Sequence, residues 1–454
     1  MAQSKAKKGP QSNGLLEKVF KLSQHNTDVK TEVLAGITTF MTMAYILVVN
    51  PDILSTTGME KGAVLTATAL GAALGTLMMA LLANYPFALA PGMGLNAFFA
   101  FSVASVYGWE MALTAILIEG IVFILLSLVN VREAIFDAIP QNMKYAVSVG
   151  IGLFITFIGF QNAGIIVSEQ ATLVTLGNVK SITVVLALVG LILTATLVIK
   201  KVKGALLWGI LGTYVLGLVC QLTGLYVVNP EIGMFSLIPE GIISAPPSVA
   251  PTFAKFSFSK VITLDFIVVI FSFLFVDIFD TIGTLIGVSS KAGFLDKDGK
   301  LPKVKEALLA DAIGTVGGAI LGTSTVTTYV ESASGVADGG RTGLTSLTTA
   351  VLFAVALIFT PIIMVIPSFA TAPVLIIVGL FMMESVTKIN FTDYTEGLPA
   401  FLTIIMMPLA YSISEGLVFG VISYVLLKLI TGKGKNVHMV MYIIAALFIL
   451  KYIF

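Results

Sequence analysis

The stretch FALAPGMGLNAFFAF, Phe87 to Phe101, is apolar enough to lie in a membrane yet cannot be one continuous helix. Pro91 lacks an N–H and crowds the preceding turn, and Gly92 and Gly94 hold a helix poorly, so the chain is expected to break just before Asn96. A second stretch, TSTVTTYVESASGVADGG from Thr323 to Gly340, has the same character: a Ser/Thr and β-branched run leads to Glu331, with Gly335 beyond it. Backbone that leaves its helix at membrane depth survives only where it is buried in protein or lines a wet cavity. Each stretch is therefore expected to be a short extended piece running into a half-helix. Two half-helix N-termini meeting at mid-membrane would offer N–H groups and positive dipole ends to a polar solute or an acid.

Composition puts both stretches in lipid. Hydrophobic residues make up 57% of the 454 and charged residues 11%, with a mean hydropathy of +1.00; a soluble chain is about a quarter charged. The formal net charge of +1 offers no footprint for a nucleic acid. Cys220 is the only cysteine, which excludes a disulfide framework and a cysteine metal site; inside an apolar run it reads as a small buried hydrophobe. No metal or other cofactor is expected. The opening MAQSKAKKGPQSNG is polar and basic and reads as a tail, not a signal peptide, and LLEKVFKLSQ after it as an amphipathic segment on the cytoplasmic face.

About fourteen spans of bilayer length follow, near 32–50, 63–84, 87–104, 110–129, 145–163, 181–200, 204–226, 264–288, 306–322, 323–338, 343–366, 371–384, 397–412 and 415–431. Lys and Arg gather in alternate connections: the tail, the loop with Arg132 and Lys144, KKVKG at 200–204, KAGFLDKDGKLPKVK at 291–305, Arg341, Lys388, and KGKN at 433–436. By the positive-inside rule these are cytoplasmic together with the N-terminus, in a multi-pass protein of the cell membrane. The apolar VHMVMYIIAALFILKYIF that closes the chain does not fit the even count; it reads as an extra span or an interfacial helix.

The proline-rich stretch 227–263 divides the chain. Residues 1–31 form the tail, 32–226 the first seven spans, 264–431 the second seven, and 432–454 the closing segment. An odd number of spans per half makes the second half enter from the opposite side, so halves that are repeats must be inverted ones. The broken spans, third and tenth, support this: Asn96 lies 64 residues after residue 32, and Glu331 67 after residue 264.

The eighth span carries FVDIFDTIGT, Phe275 to Thr284, in which Asp277, Asp280, Thr281 and Thr284 share one helical face. A charge at the bilayer centre costs roughly 2.5 to 3.5 kcal/mol on the mildest scale, so Asp277, Asp280 and Glu331 point to function in a protein interior. Glu119, Asp311, Glu384 and Glu415 stand alone or near span ends, where snorkelling is the simpler reading.

NYPFALAPGMGLNAFFAF, FLFVDIFDTIGT, LGTSTVTTYVESASGVADGGRTG and TAPVLIIVGLFMM together resemble the AzgA-type branch of the nucleobase–cation symporter family, the bacterial and fungal purine permeases, over nearly the whole chain. The closing KGKNVHMVMYIIAALFILKYIF is most similar to bacterial guanine/hypoxanthine permeases. The resemblance implies an all-α polytopic membrane protein with a seven-plus-seven inverted repeat, a core domain of spans 1–4 and 8–11, and a gate domain of spans 5–7 and 12–14. It also implies that Asp277 and Glu331 contact the purine and that Asn96 and Asp280 are needed for transport.

The chemistry agrees. A purine is flat, neutral and edged with N–H donors and ring-nitrogen acceptors, which suits carboxylates and an amide at its rim. Phe40, Tyr45, Phe99 and Tyr329 are candidate covers for its faces, and Thr281 a candidate polar neighbour. Buried carboxyls near one another also tend to hold a proton, so Asp277, Asp280 and Glu331 are candidates for proton coupling. The expected substrate is guanine or hypoxanthine, with xanthine and adenine as alternatives. The expected partners are the purine, a proton, the bilayer and, as an allowed assembly, a second copy in a homodimer. Two other classes fit less well. An intramembrane aspartyl protease needs acids on facing helices, whereas Asp277 and Asp280 share one; an anion transporter of the same fold would be repelled by fixed carboxylates at its site.

Overall fold

The computed structural model describes residues 14–128, 139–230, 233–296 and 301–453; tail residues 1–13, Arg132 and Lys300 lie outside the described residues. Helices α1 (Leu15–Phe20), α2 (Val29–Met43), α3 (Ile46–Ser55) and α4 (Lys61–Met78) lead to strand β1 (Leu89–Pro91) and helices α5 (Met93–Ala97), α6 (Trp109–Leu128) and α7 (Gln141–Asn162). A hairpin of β2 (Ile166–Glu169) and β3 (Leu173–Leu176) precedes α8 (Ile182–Ile199) and α9 (Ala205–Leu222). The second half runs through α10 (Leu264–Ala292), α11 (Val304–Leu321), β4 (Val326–Thr328), α12 (Ser332–Ala337), α13 (Gly343–Ala356), α14 (Ser368–Met383), α15 (Tyr394–Leu409) and α16 (Ile413–Ile430), with α17 (Met439–Ile453) last. Among the described residues, ten helical segments are long and apolar enough to cross a membrane. Each expected span falls on one of these or on one of four others: α11, α15 and the two broken pieces that contain β1 and β4.

The helices pack as two groups. Helices α2 to α6 associate with α10 to α13, and α7 to α9 associate with α14 to α16. These are the core and gate groupings that the family resemblance implies. In the first group α4 and α11 cross so closely that a side chain at Gly314 would stand 3.0 Å from the Cα of Gly75. In the second, a side chain at Gly152 of α7 would stand 2.7 Å from the carbonyl of Gly379 on α14. Lipid offers helices little hydrophobic gain from association, so small residues that admit close backbone contact are what hold such crossings.

The connections sort between the two ends of the bundle. At one end the Asn84 amide donates to the Phe20 carbonyl and Tyr85 hydroxyl to that of Pro302, Lys203 meets Asp338, and Asp393 meets Lys433. The Thr395 hydroxyl and backbone, with Lys433, hold the exposed Asp393 carboxyl down at about 2. At the other end Thr66 donates to the Pro247 carbonyl, Thr252 to that of Leu321, and Asp52 takes both Lys61 and Thr371. Pro247 and Thr252 of the connection thus lie against the ends of α4 and α11.

Five details refine the sequence reading. The amphipathic segment does not lie free on a surface: Phe20 and Leu22 are buried with Ala80 and Leu344, and the first span helix begins at Val29 within the expected tail. That span is interrupted at Ala44 and Tyr45. Cys220 is half-buried, not fully enclosed. Finally, α17 packs on α16 and on α10, burying Met441, Ile444, Ala445 and Phe448 and setting the Phe448 ring 6.0 Å from that of Phe271.

Candidate functional site

Strands β1 and β4 come from opposite halves and pair antiparallel, Leu89 opposite Thr328, Ala90 opposite Thr327 and Pro91 opposite Val326. The ladder is extended at both ends, by Gly92 N–H donating to the Thr325 carbonyl and Tyr329 N–H to that of Ala88, each at 3.0 Å. So short a sheet inside a membrane protein has two outer edges whose polar groups still need partners. For β1 a single threonine of α4 supplies them: Thr76 Oγ1 accepts from Leu89 N–H at 2.8 Å and donates to the Leu89 carbonyl at 2.9 Å. For β4 the work falls to α11, where Asp311 Oδ1 accepts from Thr328 N–H at 3.0 Å and Thr315 donates to the Val326 carbonyl at 2.9 Å.

Around this crossing stand most of the residues singled out by sequence. Tyr45, at the break between α2 and α3, donates its hydroxyl to Glu331 Oε1 at 2.8 Å. Glu331 is the residue immediately before α12 and is half-buried. Tyr329 donates to the Pro91 carbonyl at 2.5 Å. Asn96 is fully buried within α5; its amide donates to the Pro91 carbonyl at 3.3 Å and its carbonyl oxygen accepts from Ser324. The two acids of α10 look different ways. Asp277 is buried and accepts from Thr281 at 3.2 Å; Thr281 in turn meets Thr327 of β4 at 2.7 Å. Asp280 lines a cavity of about 300 Å³ together with Gly94, Gly283, Thr284, Ser148, Lys144 and Lys388. It also sits at the first break, where a side chain at Gly92 would stand 3.4 Å from Asp280 Oδ2 and 2.6 Å from Thr327 Cγ2.

The Phe40 ring stands edge-on to Phe353 at 5.3 Å, and Phe99 is wholly enclosed in the apolar cluster that also holds Tyr45 and Tyr329. Asn96 and Glu331 do not occupy equivalent places: Asn96 is the fourth residue of its short helix, whereas Glu331 precedes its own. Asp311 and Glu119, read as snorkelling, are completely buried, and Asp311 is bonded into the crossing. Four further residues were missed or passed over. Glu32 is buried and accepts from the backbone of Arg341, Thr342 and Thr345 at the start of α13. Asn50 donates to Thr68 and Thr323, tying α3 and α4 to the approach of β4. On the gate side, Ser148 and Ser385 line the cavity. Among the cavity residues, Asp280, Thr284 and Gly94 had a sequence signal, the first two from the acid-bearing face of the eighth span and the third from the break in the third.

A helical bundle in which broken spans from two halves cross beside buried acids is the architecture of a membrane transporter. A family model described as a permease family matches residues 30–451, and the chain belongs to that family: it is a transport protein and not an enzyme. The guanine/hypoxanthine permease PbuO of Bacillus subtilis is 45% identical over 439 residues, covering 95% of this chain and 99% of its own. The adenine permease AdeP of Escherichia coli is 43% identical over 443 residues, covering 97% and 96%. Among solved structures, the transmembrane domain of the cyanobacterium bicarbonate transporter BicA matches with a TM-score of 0.62 at 16% identity, covering 86% of this chain and 97% of that one. At that identity the likeness speaks for the fold alone.

Proposed function

We propose that the chain imports oxopurine nucleobases, guanine and hypoxanthine foremost, by proton symport across the cell membrane, with its N-terminus in the cytoplasm. The observation that carries this reading is the convergence of two carboxylates, Glu331 and Asp280, on the strand crossing, with Asp280 open to a cavity. Its volume of about 300 Å³ is at the small end of ligand pockets, which suits a compact bicyclic base. Carboxylates accept the N–H donors of a purine edge, and the Asn96 amide and Tyr45 hydroxyl are polar groups of the same crossing. In this reading Asp277 and Glu331 contact the base, and Asp277, Asp280 and Glu331 carry the coupling proton.

Transport follows from the two packing groups. The core group carries the crossing, the gate group supplies the opposite wall of the cavity, and rocking of one against the other exposes the base to each side in turn. The seven-plus-seven inverted repeat, with halves at 32–226 and 264–431, makes those two exposures equivalent by a pseudo-two-fold rotation in the membrane plane. A second reading, adenine transport, is favoured by the likeness to AdeP and differs only in which base edge the acids meet. Uptake of radiolabelled hypoxanthine by cells expressing the protein, with and without a protonophore, tests the proposal. Uptake that the protonophore leaves unchanged removes proton coupling, and no uptake of any purine removes the substrate class.

A further inference from the structure

We propose that Asp311 is a positioning residue for transport, which acts through the Thr281 hydroxyl to fix the carboxylate of Asp277. This rests on the reading of Asp277 as a purine contact. The starting point is an inequality between the two halves. The outer edge of β1 is completed by Thr76, a neutral residue that answers both the N–H and the carbonyl of Leu89. The outer edge of β4 is completed by Asp311 and Thr315, one helical turn apart on α11. A hydroxyl suffices in the first half, so satisfying a strand edge does not call for an acid, and an acid so deep in a membrane protein is expensive. Asp311 has a second task.

That task is visible at its other oxygen. While Oδ1 takes Thr328 N–H at 3.0 Å and the Thr328 hydroxyl at 3.2 Å, Oδ2 lies 3.0 Å from Thr281 Oγ1. The same hydroxyl is 3.2 Å from Asp277 Oδ1 and 2.7 Å from Thr327 Oγ1. Three elements, α10, α11 and β4, therefore meet at one oxygen. Thr281 has a single hydrogen to donate, and it can accept from Thr327 while donating to either carboxylate. Asp277, Thr281 and Asp311 are all fully buried, so no bulk water competes for the one hydrogen that the Thr281 hydroxyl shares between the two carboxyl groups. Asp311 thereby ties the acid-bearing face of α10 to the strand crossing, and Asp277 keeps its direction because Thr281 is anchored from behind.

The test uses the full-length protein in membrane vesicles, with initial rates of radiolabelled hypoxanthine uptake normalised to the amount of protein. Asp311→Asn and Thr281→Val are each expected to raise KM about tenfold, the size of one lost hydrogen bond to a charged group, with maximal rate per molecule within about twofold of wild type. Thr281→Ser, which keeps the hydroxyl, is expected to behave as wild type. The Asp311→Asn/Thr281→Val double variant should be no worse than either single one, because both cut the same link. Unchanged KM in Thr281→Val, or a double variant whose KM is the product of the two, overturns the proposal even if Asp311→Asn fails to reach the membrane. Asp277→Asn separates the two levels: full transport by that variant overturns the reading of Asp277 and this proposal with it. Loss of transport there, with a normal KM in the Asp311 and Thr281 variants, overturns the positioning role alone.

Discussion

Tyr45→Phe removes one atom from the candidate site. The ring of Tyr45 is 1% exposed and packed in the core, so phenylalanine keeps its volume and the break between α2 and α3. What is lost is the 2.8 Å hydrogen bond from the hydroxyl to Glu331 Oε1. A hydrogen bond to an ionised acceptor contributes about 1.5 to 3 kcal/mol, which is about ten- to a hundredfold in a binding constant. If the phenol aims Glu331 at the base, KM for hypoxanthine rises by that factor while the maximal rate per molecule stays near wild type. Initial-rate uptake in vesicles, with protein measured by immunoblot, reads both quantities. The same substitution in a Glu331→Gln background should have a much smaller effect, since the charged partner is already gone. KM within about twofold of wild type in Tyr45→Phe refutes the argument. So does a fall in KM, which would mean that the phenol competes with the purine for the carboxylate.

Three further outcomes are expected. Asp277→Asn should reach the membrane in normal amounts and abolish hypoxanthine uptake; near wild-type uptake removes Asp277 from the site. Glu32→Ala strips the acceptor from three backbone N–H groups and from the Thr345 hydroxyl at 2.6 Å. Leaving such buried donors unpaired should cost about 3 to 5 kcal/mol, seen as a lower unfolding temperature in detergent, and an unchanged temperature contradicts it. Excess unlabelled guanine should compete for hypoxanthine uptake, and adenine poorly. An ionised acid at the N1 edge accepts from the N1–H of an oxopurine but faces a lone pair in adenine, and mismatches of this kind discriminate by roughly 10⁴ in favourable cases. Equal competition by adenine turns the assignment over to adenine transport.

The spans, the two breaks and the acids of FVDIFDTIGT were legible because each is a local signal. Length, apolar composition, a proline beside glycines and a charge in an apolar run all announce themselves within twenty residues. Glu32, Asn50 and Asp311 were not legible for one shared reason: the cost of burying a polar group depends on its partner, and their partners are far off in sequence. Glu32 is answered at Arg341 and Thr342, Asn50 at Thr323, and Asp311 at Thr281 and Thr328. Distance from a span end, the measure by which Asp311 and Glu119 were read as snorkelling, says how deep a residue lies and nothing about what faces it. The surroundings of the candidate aromatic covers were not legible for a different reason. Phe40 and Phe99 stand near the breaks in sequence, yet a helix turns each toward its own neighbours, and the tertiary packing decides which.

The crossing itself explains why its two halves look weak when read apart. Three residues of strand from each half cannot make a sheet alone, and an isolated broken helix at membrane depth would leave several backbone groups unsatisfied. Paired, they complete one another: Pro91 stands opposite Val326, and Gly92 and Tyr329 close the ladder on Thr325 and Ala88. Thr76 from α4 and Asp311 with Thr315 from α11 then close its outer edges. α4 and α11 can reach both edges because Gly75 and Gly314 let them approach almost backbone to backbone. Asp277 meets Thr281 within its own helix, but the assembled crossing supplies the hydroxyls that meet the other two acids: Tyr45 for Glu331, and Thr281 and Thr328 for Asp311. The polar site is thus a consequence of the fold's symmetry, and the departures from that symmetry, a threonine on one edge and an acid on the other, are where its chemistry is to be sought.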